Sequence, residues 1–465
     1  MYDLIVIGSG PAGEKGAAQA AYFGKRVALV ERECVVGGAC ANTGTLPSKT
    51  LRESALHLSG FRQRGFRDPV QAAAQDDITV ESFIYRKRIV VESEWKRIEG
   101  NLRRHNVETF QGMASFLSPH EIRVVNAEGE QTLKGKVILI ATGSSPVRPP
   151  GVPFDDTAVC DSDTILQLDR IPETMAIVGA GVIGCEYASI FAALGVQVHL
   201  IDGRTALLPH IDGEIVRILL GELQNRLGVT MHLGVEVDTI VHEGDAVRLT
   251  LKDGFRLDVA KVLYAAGRRS NTAGLQLEAA GVETDRRGLI VVNESYQTTA
   301  GNVYAAGDVI GFPALASTSM EQARVAMVHA FDLKYKTKVA GTLPYAIYTI
   351  PELSTIGVTD EQCAASGQPF EVGRAFYRVN SRGQIIGDAK GMIKLVFEPD
   401  SLRLLGVHIV GENAAELLHT GMMVMQFGGT IDAFIQGVFN FPTLSEAYKY
   451  AAYDGLGNVA RKRTS

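Results

Sequence analysis

Apolar residues form an unbroken block at 4–7; the chain then breaks into Gly8, Gly10 and Gly13 before an alanine-rich stretch and a second apolar block at 27–30. A short apolar run bounded by turn residues reads as a strand buried on both faces, and the alanine-rich stretch reads as a helix packed on it. Residues 3–33 are therefore a predicted βαβ unit. The same pattern returns in "MAIVGAGVIGCEYASIFAALGVQVHLID": a strand, then Gly179, Gly181 and Gly184, a helix, and a second strand ending at Asp202. Two further apolar runs bracket this repeat. "KVILIATGSSPVRPP" predicts a strand ending at Thr142 and Gly143, and "KVLYAAGRRSNTAGL" one ending at Gly267, ahead of Arg268 and Arg269. "NVYAAGDVIG" predicts a strand over 303–306 with Gly307 and Asp308 at its carboxyl end. From about 341 the character changes to strand-like runs such as "GMIKLVFEP" and "LLGVHIVG" and helical runs such as "NAAELLHTGMMVMQFG", with no glycine fingerprint. Met422, Met423 and Met425 in that last run fit core or interface packing better than a metal site.

The glycine spacing carries chemistry as well as folding. In G-x-G-x-x-G the first glycine permits a tight turn, the second lets backbone approach a pyrophosphate, and the third lets helix pack on strand. The helix N-terminus then offers unpaired N–H groups and a positive dipole end to phosphate. Glu31, at the end of the second strand, suits a ribose hydroxyl pair. In the repeat, Asp202 favours the free 2′-hydroxyl of NAD, while Arg204 accommodates the 2′-phosphate of NADP. The alternative for Arg204 is a solvated loop charge. Asp308, at a strand's carboxyl end, is a candidate for a cofactor hydroxyl; its alternative is a helix N-cap.

Composition narrows the field. The 465 residues exceed one core and favour about three domains of ~100–200 residues. Apolar residues make up 46% and charged residues 21%, an ordinary globular balance. A net charge of −6 gives no basic footprint for nucleic acid. No apolar run approaches bilayer length, so no membrane partner is expected. The opening "MYDLIVIGSG" enters a strand directly, and five scattered cysteines, Cys34, Cys40, Cys160, Cys185 and Cys363, form neither a disulfide framework nor a C-x-x-C metal pair. The expected compartment is the cytoplasm.

The order of motifs, over essentially the whole chain, resembles the pyridine nucleotide–disulfide oxidoreductase family, which includes glutathione reductase and lipoamide dehydrogenase. The resemblance implies an α/β fold of two Rossmann-like dinucleotide-binding domains, the NAD(P) domain inserted in the FAD domain, plus a C-terminal α+β dimerisation domain. The implied boundaries are 1–145 and 268–340 for FAD, 146–267 for NAD(P), and 341–465 for dimerisation. Gly8, Gly10, Gly13 and Glu31 would then hold the adenosine half of FAD and Asp308 its ribityl chain, with Thr142, Gly143 and Gly267 at neighbouring turns. Gly179, Gly181, Gly184, Asp202 and Arg204 would hold NAD or NADP. Lys49 in "LPSK" and Glu186 in "GCEYAS" match the pair beside the flavin's hydride-accepting nitrogen.

Two departures change the implied reaction. "GGACANTGTLPSK" has Cys40, but Thr45 stands where the family places its second cysteine, and a hydroxyl cannot form a disulfide or act as a thiolate. "NFPTLSEA" has Phe441 where the family places a proton-transferring histidine, with Pro442, Thr443 and Glu446 retained, and His419 well upstream on another predicted helix. Both losses fall on the flavin-to-disulfide half-reaction. The pattern closely resembles the branch of the family whose members exchange hydride between NADPH and NAD⁺, si-specifically and by a ping-pong cycle, as homodimers or larger polymers. Cys40 is then a lone thiol whose expected role is packing rather than redox sensing. The rival readings are a flavin NAD(P)H oxidase or quinone reductase, and a flavin-binding sensor scaffold.

Overall fold

The computed structural model describes residues 1–60 and 78–464. Two parallel five-stranded sheets share one spatial order. In the first, Glu108–Gln111, Val27–Glu31, Tyr2–Ile7 and Gly129–Ile140 lie side by side, and Val303–Ala305 completes the edge against Ile138, Leu139 and Ile140. In the second the order is Thr230–Leu233, Gln197–Asp202, Thr174–Val178, Lys261–Tyr264 and Val159–Asp161. The equivalent fifth strand thus comes last in the chain in one sheet and first in the other. Leu4, Ile5 and Val6, and Met175, Ala176 and Ile177, are fully buried, as strands covered on both faces require.

Each sheet adjoins an antiparallel meander. Met113–Ser118 and Glu121–Asn126 lead into Gly129–Ile140, whose first half closes the meander and whose second half joins the parallel sheet. The strand ends at Ile140, two residues before the turn the sequence pattern suggests; Gly143 then takes φ +68°. Likewise the strand ahead of Gly267 ends at Tyr264, and the one ahead of Asp308 at Ala305. Between the two parallel-sheet units the chain crosses out on Ser144–Pro146 and back on Arg268–Ser270, which pair antiparallel.

The third unit is an antiparallel sheet ordered Tyr345–Ile347, Leu353–Gly357, Leu404–Val410, Met392–Phe397 and Glu371–Phe376. Helices Ala414–Gln426 and Ala447–Thr464 pack against it. Close approach needs glycine here: a Cβ on Gly373 would fall 2.0 Å from Ala451 O. Met422 and Met425 pack on this core, and Met423 is exposed.

Buried charge joins the third unit to the second. Lys394 Nζ lies 2.6 Å from Asp212, which caps helix Gly213–Asn225 through the backbone N–H groups of Glu214 and Ile215, and 2.7 Å from Asp360 at the start of helix Asp360–Ser366. Burial opposes the charge on Lys394, but the two aspartates hold its ionisation above the ordinary lysine value. Burial likewise opposes Asp360, yet Lys394 holds that carboxyl down at about 2. Among the described residues, no helix is long and apolar enough to cross a membrane.

Candidate functional site

One cavity of about 1080 Å³ lies where the three units converge. Of the residues singled out in the sequence, Gly8, Gly10, Glu31, Cys40, Thr45, Lys49, Thr142, Gly143, Glu186 and Asp308 line it. Gly13, Gly179, Gly181, Gly184, Asp202, Arg204 and Gly267 are not among the lining residues; all but Gly13 belong to the second unit and the start of its return crossing.

The glycines divide by what surrounds them. Gly8 has φ +100°, and a Cβ there would meet Ala141 O at 2.4 Å; on Gly13 it would meet Gly8 O at 1.9 Å. The repeat is the same: Gly179 has φ +108°, and a Cβ on Gly184 would meet Gly179 O at 1.7 Å. These four glycines are required by the fold itself. Gly10 and Gly181 differ, since their nearest neighbours lie 3.9 and 4.0 Å from an added Cβ. Each is the N-cap of its helix, Pro11–Tyr22 or Val182–Ala193, and neither helix end carries a side-chain cap. Small residue, open space and free N–H groups together fit a pyrophosphate.

Acids brace both fingerprint loops. Glu31 accepts from Ser9 N at 2.9 Å, Ser9 Oγ at 2.6 Å and Glu33 N at 3.0 Å. Asp202 accepts from Ala180 N at 2.6 Å, and Arg204 grips both its oxygens at 2.9 and 2.7 Å. Burial works against this carboxylate, but the Arg204 and Ala180 hydrogen bonds hold it down at about 2. The sequence left Arg204 open between ligand contact and solvated charge; here it is half exposed and engaged by Asp202.

Two helices from different units bring Lys49 and Glu186 together. Thr45–Leu58 packs on Val182–Ala193 through a core that includes Leu51, Ala55, Tyr187 and Phe191. Lys49 Nζ and Glu186 Oε2 then meet at 2.6 Å, while Glu186 Oε1 accepts from Tyr348 N of the third unit at 2.9 Å. Arg52, one turn along the helix, donates to Thr349 O at 2.9 Å and pairs with Glu352 at 3.0 Å. Tyr348, Thr349, Arg52 and Glu352 escaped the sequence reading, because their roles depend on packing between units.

Beside this junction the Cys40 thiol is driven up by burial, with a hydrogen bond from Thr45 pulling the other way. Asp308 does not cap the helix Ala316–Ala330, whose N-cap is Leu315; its Oδ2 accepts from Ser144 Oγ at 2.7 Å. Thr142 Oγ1 is buried without a partner, so the wall holds a polar atom that a bound group can satisfy. His419, remote in sequence, lines this same cavity from helix Ala414–Gln426, whereas Phe441 is 71% exposed.

Comparison with known proteins agrees with this architecture. Residues 2–330 match the family model described as pyridine nucleotide-disulphide oxidoreductase, and residues 343–452 match its dimerisation domain. The chain is 46% identical to a soluble pyridine nucleotide transhydrogenase of Mycobacterium tuberculosis and 40% identical to one of Colwellia psychrerythraea, each over 98% of both chains. Among solved structures, the HOCl-induced flavoprotein disulfide reductase RclA of Escherichia coli superposes with a TM-score of 0.87 at 30% identity, covering 97% of this chain and 99% of that one. LpdA of Mycobacterium tuberculosis gives 0.88 at 26% identity, with the same coverage.

Proposed function

The chain belongs to the pyridine nucleotide-disulphide oxidoreductase family, and on that premise we propose that it exchanges hydride between NADPH and NAD⁺ through FAD, without a redox-active disulfide. The reaction is NADPH + NAD⁺ ⇌ NADP⁺ + NADH. The observation that carries this reading is that Thr45, a hydroxyl, lines the cavity together with Cys40 and the Lys49–Glu186 pair, and that Cys40 is a free thiol there.

The cavity fits FAD by the unfilled space at Gly10, the uncapped helix behind it and the orphaned Thr142 hydroxyl. Gly10 and the helix start behind it would take its pyrophosphate, with Gly8 and Gly13 shaping that turn, Glu31 its adenosine ribose, and Thr142, Gly143 and Asp308 the chain towards the ring. Bound there, FAD supplies a two-electron hydride acceptor and donor. Lys49 and Glu186, each from a different unit, would meet the ring end and keep a charged pair beside it.

Gly179, Gly181 and Gly184 would seat the nicotinamide nucleotide's pyrophosphate. Asp202 offers a carboxylate to a 2′-hydroxyl and Arg204 a guanidinium to a 2′-phosphate, so one site serves both substrates. With one such site among the described residues, the nucleotides would occupy it in turn in a ping-pong cycle, and si-face transfer is part of the proposal. The third unit exposes Phe427, Val438, Phe441, Tyr450 and Tyr453, an apolar set that a homodimer would cover.

The test is anaerobic mixing of the purified protein with NADPH and thionicotinamide-NAD⁺, following the thio analogue by its shifted absorbance. Rapid reduction of the analogue is expected. Flavin bleaching with the analogue left oxidised would overturn the reading and direct attention to oxygen or quinone acceptors.

A further inference from the structure

Tyr187, directly after Glu186, is 2% exposed, and its ring stacks on Phe191 with centroids 6.2 Å apart and planes 22° from parallel. Its hydroxyl has no hydrogen-bond partner; among the described residues, only it and Thr142 Oγ1 are buried side-chain polar atoms in that condition. A buried hydroxyl left unpaired keeps its desolvation penalty unmet, which a fold tolerates where a ligand completes the bond. Tyr187 belongs to the cavity wall, together with Asp163, Val182 and Ile183.

The chemistry of that wall is restrictive. Burial, reinforced by Glu186, Asp163 and Asp161, drives Tyr187 far above the ordinary tyrosine range, so the hydroxyl keeps its proton and stands as a neutral donor. Asp163 is pushed up by burial, opposed by Arg268, whose Nη1 lies 3.8 Å from its Oδ1. Val182 and Ile183 offer apolar surface to the face of a ring. A phosphate would meet carboxylates here. An amide edge, with a carbonyl oxygen and an N–H side by side, finds a donor for one and an acceptor for the other.

We propose that Tyr187 Oη donates to the carbonyl oxygen of an amide edge on a planar ring bound in the cavity, with Asp163 taking the adjacent N–H. Resting on the function proposed above, that chemistry has two sources, the pyrimidine edge of the FAD ring and the carboxamide of nicotinamide. Tyr187→Phe keeps the stack on Phe191 and removes only the hydroxyl.

The experiment measures two affinities and a spectrum on holoenzyme without turnover, so a protein that failed the thio-NAD⁺ assay would still report on Tyr187. If the nicotinamide is the source, Tyr187→Phe raises the Kd for both NADP⁺ and NAD⁺ about tenfold with the flavin absorption bands unmoved. If the FAD ring is the source, the bands shift and the FAD Kd rises about tenfold with nucleotide affinity unchanged. Asp163→Asn must weaken the same ligand as Tyr187→Phe. Both affinities within about twofold of the parent, with the bands unmoved, would overturn the proposal, as would a fall in melting temperature that is equal with and without ligand.

Discussion

Lys49 and Glu186 stand 137 residues apart in the chain and meet at 2.6 Å, and the second oxygen of the same carboxylate holds Tyr348 N. One side chain thus adds a polar tie between three units that already share a hydrophobic core through Leu51, Phe191 and Leu353. Glu186 is 4% exposed and Lys49 27%. Lys49→Met should destabilise by about 2 kcal/mol, the buried-pair cost discounted for the partly exposed lysine. The double variant Lys49→Met, Glu186→Gln should recover about 1 kcal/mol of that loss. Urea midpoints measure both, and stopped-flow bleaching of the flavin by NADPH should slow about tenfold or more in either single variant.

The 2′ position of the nucleotide should respond asymmetrically. Arg204→Ala removes a guanidinium and should raise KM for NADPH about tenfold, the size of one charge-assisted hydrogen bond, while leaving NADH nearly untouched. Asp202→Ala should harm both nucleotides, because Asp202 also holds Ala180 N in the fingerprint loop. Steady-state kinetics with each nucleotide separates the two patterns.

Cys34 is exposed, whereas burial raises Cys40. The thiolate is the reactive form, so a raised value depletes it at neutral pH. Mass spectrometry after iodoacetamide at pH 7.5 should find Cys34 labelled well before Cys40, and Cys40 labelling should accelerate as pH climbs through 9 and beyond.

Thr45→Cys would set a second thiol in the cavity wall that Cys40 and the Thr45 hydroxyl now share. The oxidised variant, unfolded and titrated for free thiols, should show one fewer than the parent's five cysteines, and reduction before unfolding should restore the full set of six. Disulfide reduction by NADPH should remain slow, since Phe441 brings no proton to exchanging thiols.

The Lys394 cluster should set acid stability. Asp360 is held at about 2, below the ordinary carboxylate value of 3.8, so its contribution is fully present above about pH 4 and is lost as pH falls towards 2. Urea midpoints should decline over that window. Lys394→Met should flatten the decline and destabilise by about 3–5 kcal/mol at neutral pH, leaving Asp212 and Asp360 without their cation.

Much of this was legible in the sequence for local reasons. Gly13 and Gly184 are demanded by the carbonyls of Gly8 and Gly179 within one βαβ unit, and Gly8 and Gly179 take a positive φ in the same tight turn, so spacing reveals all four. Strand ends were less legible: apolar character continues through Ala141 and Ala306, whose N–H groups make the last hydrogen bonds to the neighbouring strands, but the strands themselves end at Ile140 and Ala305. Tyr187, Arg52 and the backbone of Tyr348 were invisible, because an orphaned hydroxyl or a strut between units exists only after packing. His419 shows the converse, since distance along the chain hid a residue that the third unit returns to the cavity.

The two sheets, alike in order, differ in when a ribosome can deliver them. Every strand of the second lies within residues 159–264, a contiguous stretch. The first lacks Val303–Ala305 until all of that has emerged, leaving the Ile138–Ile140 edge unpaired through synthesis of the inserted unit. The second sheet is therefore the first that can close, and the unit that opens the chain is completed after the one inserted into it.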